Sequence, residues 1–290
     1  MRRLRWLLML GLAVVVSTVQ AAELYTSQDM NDLRDRTVLE ASRVGADKVL
    51  VVYDMDNTLL AMDQDLGSDQ WFDWQSSILA QPVPERVAGD MAGLLSVQWK
   101  LFALSAMHLT RPEVPAVVDQ LKQLGVRQLV LSSRGPENRE ASMRELKRNH
   151  LAFDDSSAGV VKTYLPYNLA SPEKDCLSAA DVAQLKLGNP RLVSFGDGVM
   201  LTSGQHKGAM LRSLLCPTGS RYEVILFIDD KVKNTDAMLA AYTAPAPNLV
   251  AYRYASEDAR VQAFHSGDKH QAIADWSALK GVIDGVFGGH

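Results

Sequence analysis

The 290-residue sequence is poor in cysteine: it has two, Cys176 and Cys216, and neither lies in a CxxC pair. With no third or fourth cysteine, a thiolate zinc site is not expected. Basic charge is not in excess either, since 30 Lys and Arg face 34 Asp and Glu. Bulk charge therefore gives no reason to expect a polyanion or nucleic-acid partner. No internal repeat or low-complexity tract occurs, and beyond the N-terminus no apolar run is long enough to span a bilayer. Solenoid, linker and polytopic membrane classes fall away on those absences.

What is present begins with MRRLRWLLMLGLAVVVSTVQAAE. Arg2, Arg3 and Arg5 precede an apolar run from Trp6 to Val16, and small residues follow around Val19 to Ala21. This is the pattern of a secretory signal peptide cleaved near Ala21, and it predicts a periplasmic or secreted protein with no membrane attachment after cleavage. The apolar run is short for a span, and an uncleaved anchor is the alternative. No cysteine follows the run, which argues against a lipid anchor. Loss of residues 1–21 would leave 27 basic against 34 acidic residues, a formal charge of −7. In an exported chain two cysteines read first as a disulfide, with two separate buried thiols as the alternative.

Along the chain, strand and helix patterns alternate. Ser27 is a candidate cap for a helix over Gln28 to Ser42, Gly45 ends it, and Lys48 to Tyr53 reads as a β-branched strand. Residues 61–81 read as loop and hold Trp71, Phe72 and Trp74; Glu85 to Met107 then reads as one or two helices. PEVPAVVDQLKQLG is a helix, VRQLVL a strand ending at Ser132, and PENREASMRELKRNH a helix with Pro136 in its first turn. Residues 151–206 are irregular, with a short helix near Ala179 to Lys186 and a hairpin turning at Gly196 to Gly198. KGAMLRSLL, YEVILFI, KNTDAMLAAY, NLVAYRY and KHQAIADWSALKGVI complete the alternation. This rhythm predicts an α/β fold, a doubly wound Rossmann-like parallel sheet, in which ligands bind beyond the carboxyl ends of strands.

Three predicted strand ends are polar: Asp54 with Asp56 in VVYDMDNTLL, Ser132 with Ser133 in LVLSSRG, and Asp229 with Asp230 in FIDDKVKN. Two carboxylates aimed at one spot repel, and a cation or a reaction is the usual reason to keep them together. An EF-hand does not fit. Leu59 stands where the tight-turn glycine belongs, Asp65 stands where the bidentate Glu belongs, and a strand precedes the loop.

With Lys207 in HKGAML as a fourth piece, the sequence resembles the haloacid dehalogenase-like (HAD) hydrolase superfamily, and more closely a secreted bacterial branch carrying LGSDQWFDWQ after the first motif. The resemblance covers most of the chain after residue 21. It implies a HAD-like core over about 24–60, 110–150 and 207–290, with cap insertions at about 61–109 and 151–206. It further implies a Mg²⁺-dependent phosphatase acting on a small phosphorylated substrate. Asp54 would attack phosphorus and form an aspartyl-phosphate. Asp56 would protonate the leaving oxygen and then deprotonate water. Ser132 would donate to a phosphoryl oxygen, with Ser133 as its alternate, and Lys207 would offset charge there. The cation would be held by Asp54, the Asp56 carbonyl and a fourth-motif carboxylate, Asp230 in preference to Asp229, with Asn234 behind it. Asn234 departs from the DxxxD form of that motif.

Other residues carry two readings each. Arg134 could grip a substrate anion or pair with a neighbouring acid, and Trp71 and Trp74 could line a substrate pocket or pack the insertion onto the core. His206 reads as a surface or supporting residue rather than a ligand. The segment FGDGVM lacks an acid four residues after Asp197 and reads as a turn. Two rivals stand beside the phosphatase: a phosphotransferase of the same fold, and a catalytically silent binding protein.

Overall fold

The computed structural model of the protein describes residues 22–153, 161–219, 221–243 and 247–287. The expected signal peptide lies outside the described residues. The first part of the chain forms β1 (Glu23–Ser27), α1 (Met30–Val44), β2 (Val49–Tyr53), β3 (Leu60–Met62), α2 (Asp69–Ile78), α3 (Met91–Leu104), β4 (Met107–Leu109) and α4 (Val114–Gln123). The middle forms β5 (Arg127–Ser132), α5 (Arg139–Arg148), β6 (Lys162–Tyr164), α6 (Ala179–Gln184), β7 (Val193–Gly196), β8 (Val199–Leu201) and α7 (Lys207–Leu215). The last part forms β9 (Val224–Asp229), α8 (Val232–Ala241), β10 (Asn248–Tyr254), α9 (Asp258–Ser266) and α10 (His270–Phe287).

Eight strands make one sheet in the order β1, β10, β9, β2, β5, β8, β7, β6. The six from β1 to β8 in that order run parallel, and the β8–β7 and β7–β6 pairings are antiparallel. The protein is thus α/β with a mostly parallel central sheet. Successive side chains of β2 alternate between two cores, because strand side chains point to opposite faces. Val49, Val51 and Tyr53 join Met30 and Leu33 of α1 and Val117 and Leu121 of α4. Leu50 and Val52 join Met210 and Leu211 of α7 and Met238 of α8. Burial on both faces accounts for the unbroken apolar run VLVVY.

Strand order places the site. After β2 the chain passes through α4, on one face, to reach β5, whereas after β9 it passes through α8, on the other face, to reach β10. Neighbouring parallel strands whose connections leave to opposite faces open a crevice at their carboxyl ends. Asp54 follows β2 and Asp229 ends β9 at that crevice, with the Asp54 amide donating to the Ile228 carbonyl at 2.9 Å.

Several local expectations are corrected. Ser27 does not cap α1; it ends β1, an edge strand without a period-2 sequence signal, and the Asp29 carboxylate accepts the Asn31 amide at 2.8 Å instead. The stretch read as loop at 61–81 contains β3 and α2, and the Ser68 hydroxyl starts the helix by accepting the Trp71 amide at 3.2 Å. The helix α9 was not expected. Strands β6, β7 and β8, inside the insertion expected at 151–206, continue the main sheet, because β8 pairs with β5. The expected hairpin is there: Asp197 and Gly198 have φ of 51° and 70°, as a two-residue type I′ turn requires. The segment expected as the first insertion is bracketed by an antiparallel ribbon in which Leu60 faces Leu109 and Met62 faces Met107.

Cys176 and Cys216 are disulfide-bonded, with Cα atoms 5.7 Å apart, which ties the end of α7 to the segment before α6. Among the described residues no cysteine is free, and no helix is long and apolar enough to cross a membrane.

Candidate functional site

Three carboxylates meet in the crevice. Asp54, Asp229 and Asp230 each offer an oxygen within 4.8 Å of the others. At 4.8 Å two unit charges repel by about 3.5 kcal/mol at an effective dielectric of 20, so such a set needs a nearby cation or a bound proton. One such cation is Lys207, the first residue of α7, whose ammonium is 1% exposed and lies 2.5 Å from Asp54 Oδ1 and 2.6 Å from Asp229 Oδ2. The approach of α7 to the sheet depends on Gly208, since a Cβ there would stand 2.7 Å from the Ala237 carbonyl oxygen of α8 and collide with the Ala241 side chain. His206 caps the helix, its Nδ1 accepting the Ala209 amide at 3.2 Å, and burial lowers its pKa.

Asp229 is fully engaged. It accepts from the Lys231 amide at 2.8 Å, from Asn234 Nδ2 at 2.9 and 3.0 Å, and from Lys207. Asp230 is different. Its amide donates to Thr58 Oγ1 at 3.1 Å, but its carboxylate accepts no hydrogen bond from the described residues. Burial, then Asp69, Asp229 and Asp54, raise its pKa well above the ordinary carboxylate value, against the pull of Lys231. Burial and the Asp229 charge likewise push Asp54 up to about 7 despite Lys207. For Lys207 burial works against the charged form, but Asp229 and Asp54 outweigh it and hold the ammonium above its ordinary pKa.

Asp56 stands apart from this set. Its carboxylate takes a bidentate pair from Arg134, at 2.7 Å from Nη2 and 3.0 Å from Nε. Arg134 thus pairs with a neighbouring acid, the second of its two sequence readings. Ser132 is fully buried and its hydroxyl accepts the Arg134 amide at 3.2 Å, while Ser133 is exposed and uses its carbonyl to accept from the Gly204 amide. Trp71 is 1% exposed within a satellite core that includes Leu94, Leu101 and Phe264. Trp74 packs on that core with its ring 6.2 Å from the Phe264 ring. Both tryptophans take the packing role of their two readings, because α2 turns its apolar face toward α9.

Residues that sequence reasoning did not single out also reach the site, and they come from α2. Lys231 Nζ lies 2.6 Å from Asp69 and 2.7 Å from Asp73, one helical turn apart, and Asn57 Nδ2 donates to Gln70 Oε1 at 3.4 Å. Ser68 followed by Asp69 was a helix-start signal that could have revealed them. A depression of about 600 Å³ lined by Tyr167, Asn168 and Asp175 shares no lining residue with the acidic set.

The family described as "Protein of unknown function (DUF2608)" matches residues 26–285, and the chain belongs to that family. The matched span contains every residue of the site described above. No curated protein matches the chain.

Proposed function

We propose that the protein is an exported Mg²⁺-dependent phosphatase of HAD-like type, with a doubly wound core and cover insertions, that hydrolyses a small phosphomonoester through an aspartyl-phosphate. The observation that carries this reading is the gathering of Asp54, Asp229 and Asp230 at a crevice between parallel strands, with Lys207 bridging the first two. The disulfide supports export.

Mg²⁺ fits the donor set: hard carboxylate oxygens lie close together, and the Asp230 carboxylate accepts no hydrogen bond from the described residues. Asp54, Asp230 and the Asp56 carbonyl would hold it, with Asp229 and Asn234 supporting. When bound, the cation supplies charge neutralisation at the phosphoryl oxygens. Lys207 orients Asp54 Oδ1 and offsets its charge as that carboxylate attacks phosphorus and the phosphorus–oxygen bond to the leaving group breaks. Asp56 gives a proton to the departing oxygen and afterwards removes one from the water that attacks the aspartyl-phosphate. Ser132 would donate to a phosphoryl oxygen.

Phosphate release by the purified protein should occur on a panel of phosphomonoesters with Mg²⁺, cease in EDTA and return with Mg²⁺ but little with Ca²⁺, whose coordination is looser. Release undiminished by EDTA would refute the metal assignment. Transfer of the phosphoryl group to glycerol in preference to water would identify a phosphotransferase instead.

A further inference from the structure

Most of the Arg134 guanidinium is already engaged by neighbouring side chains. Nε and Nη2 are taken by Asp56, Nη1 donates to Ser142 Oγ at 3.0 Å, and Nη2 also lies 3.2 Å from Met107 Sδ. One face of its plane lies over the Phe102 ring, with Cζ 3.8 Å from the ring centroid. Its backbone is pinned on both sides, the amide donating to Ser132 Oγ and the carbonyl accepting from the Ser203 amide at 2.9 Å. Arg134 is 6% exposed. Of these braces, Phe102 lies in α3 between the ribbon strands, Met107 begins the ribbon strand β4, and Ser142 belongs to α5.

We propose that Arg134 is a positioning residue: its buried bidentate pair fixes where the Asp56 carboxyl points, and Phe102 of the inserted segment braces it in turn. This rests on the phosphatase reading, in which Asp56 carries the proton. An Arg held in a planar fork matches a carboxylate in both distance and angle, which a lysine ammonium does not. A proton donor must lie within hydrogen-bond reach of the leaving oxygen, so a shift of about 1 Å in Asp56 can cost on the order of 10²-fold in rate. The inserted segment thereby acts on the reaction without touching substrate.

The test compares an alkyl phosphate, whose leaving oxygen needs a proton, with an activated aryl phosphate, whose leaving group does not. Arg134→Lys should lower kcat on the alkyl ester by roughly 10²-fold while KM stays within about threefold, and should slow the phosphorylation step on the aryl ester far less. Phe102→Leu, which leaves the ion pair in place, should show the same leaving-group pattern at smaller amplitude. A rise in KM on both esters would mean that Arg134 grips substrate, and equal losses on both would mean a purely structural role; either result overturns the proposal. A second measurement needs no activity. In denaturant unfolding of Asp56→Asn, Arg134→Met and the double variant, coupling should change the unfolding constant at least about fivefold from additivity. Additivity within about twofold overturns the pairing. Wild-type protein that turns over neither ester overturns the phosphatase reading and this proposal together, whereas the kinetic patterns above overturn this proposal alone.

Discussion

Replacing Lys207 by Met keeps the unbranched stem out to Cε and removes the ammonium that lies between Asp54 and Asp229. Both carboxylates are buried, with side chains 7% and 0% exposed, and Asp230 stands beside them. Breaking a buried ion pair by deleting one partner costs about 3–5 kcal/mol, since the other charge is left uncompensated. At about 2–4 °C per kcal/mol for domains approaching this length, the metal-free variant should melt roughly 6–20 °C below wild type near pH 8. The loss should shrink near pH 5, and the sign follows from Asp54. Its folded pKa, at about 7, lies above the ordinary 3.8, so the folded state binds more protons than the unfolded chain between those values. The stability this group contributes is complete below the ordinary value and is lost as pH rises through about 7. Without Lys207 the Asp54 pKa rises further, so the loss on the alkaline side deepens while protonation relieves the variant in acid. Thermal unfolding followed by circular dichroism, in EDTA at about pH 5 and pH 8, reads both effects. A variant that melts within about 2 °C of wild type at pH 8 would refute the reasoning, because a buried cation shared by two carboxylates cannot be so nearly neutral.

Three further outcomes are expected. Asp54→Asn should reduce phosphoester turnover by several orders of magnitude, and Asp56→Asn by about 10² to 10⁴-fold; intact-mass measurement after rapid quench should find a phosphoryl adduct on the Asp56 variant and none on the Asp54 variant. Asp230→Asn removes a crowded carboxylate that accepts no hydrogen bond from the described residues, so calorimetry in EDTA should show a higher melting temperature than wild type and, with Mg²⁺ added, little of the wild-type upward shift. Cys176→Ser with Cys216→Ser opens a closed loop of 40 residues, which loop entropy values at about 4 kcal/mol; chemical denaturation should show a lower midpoint with an altered slope, while thiol titration of the unreduced wild type finds no free thiol.

The strand ends were legible because each is coded locally. VLVVY, the LVL of RQLVLS and the VILFI of VILFID are short apolar runs that stop at polar residues, and the composition of each run marks it without knowledge of its neighbours. The I′ turn at Asp197 and Gly198 was legible for the same reason. Two elements were harder to read: β1 has mixed burial along the edge of the sheet, and α2, despite its Ser68–Asp69 start, carries Trp71 and Trp74 on a face whose partner, α9, lies almost 200 residues further on.

The sequence by itself determined the alternation of strands and helices, the polar residues at the ends of β2, β5 and β9, and the candidates Asp54, Lys207 and Asp230. Tertiary structure alone decided that Lys207 bridges Asp54 to Asp229, that Asp229 is saturated while Asp230 has a carboxylate to spare, and that Arg134 holds Asp56. It also decided that α2 brings Asp69 and Asp73 to Lys231. The physical reason is range: a strand end depends on the few residues around it, whereas a charge pair across 153 positions, as between Asp54 and Lys207, exists only once β9 has paired beside β2 and α7 has packed against the sheet.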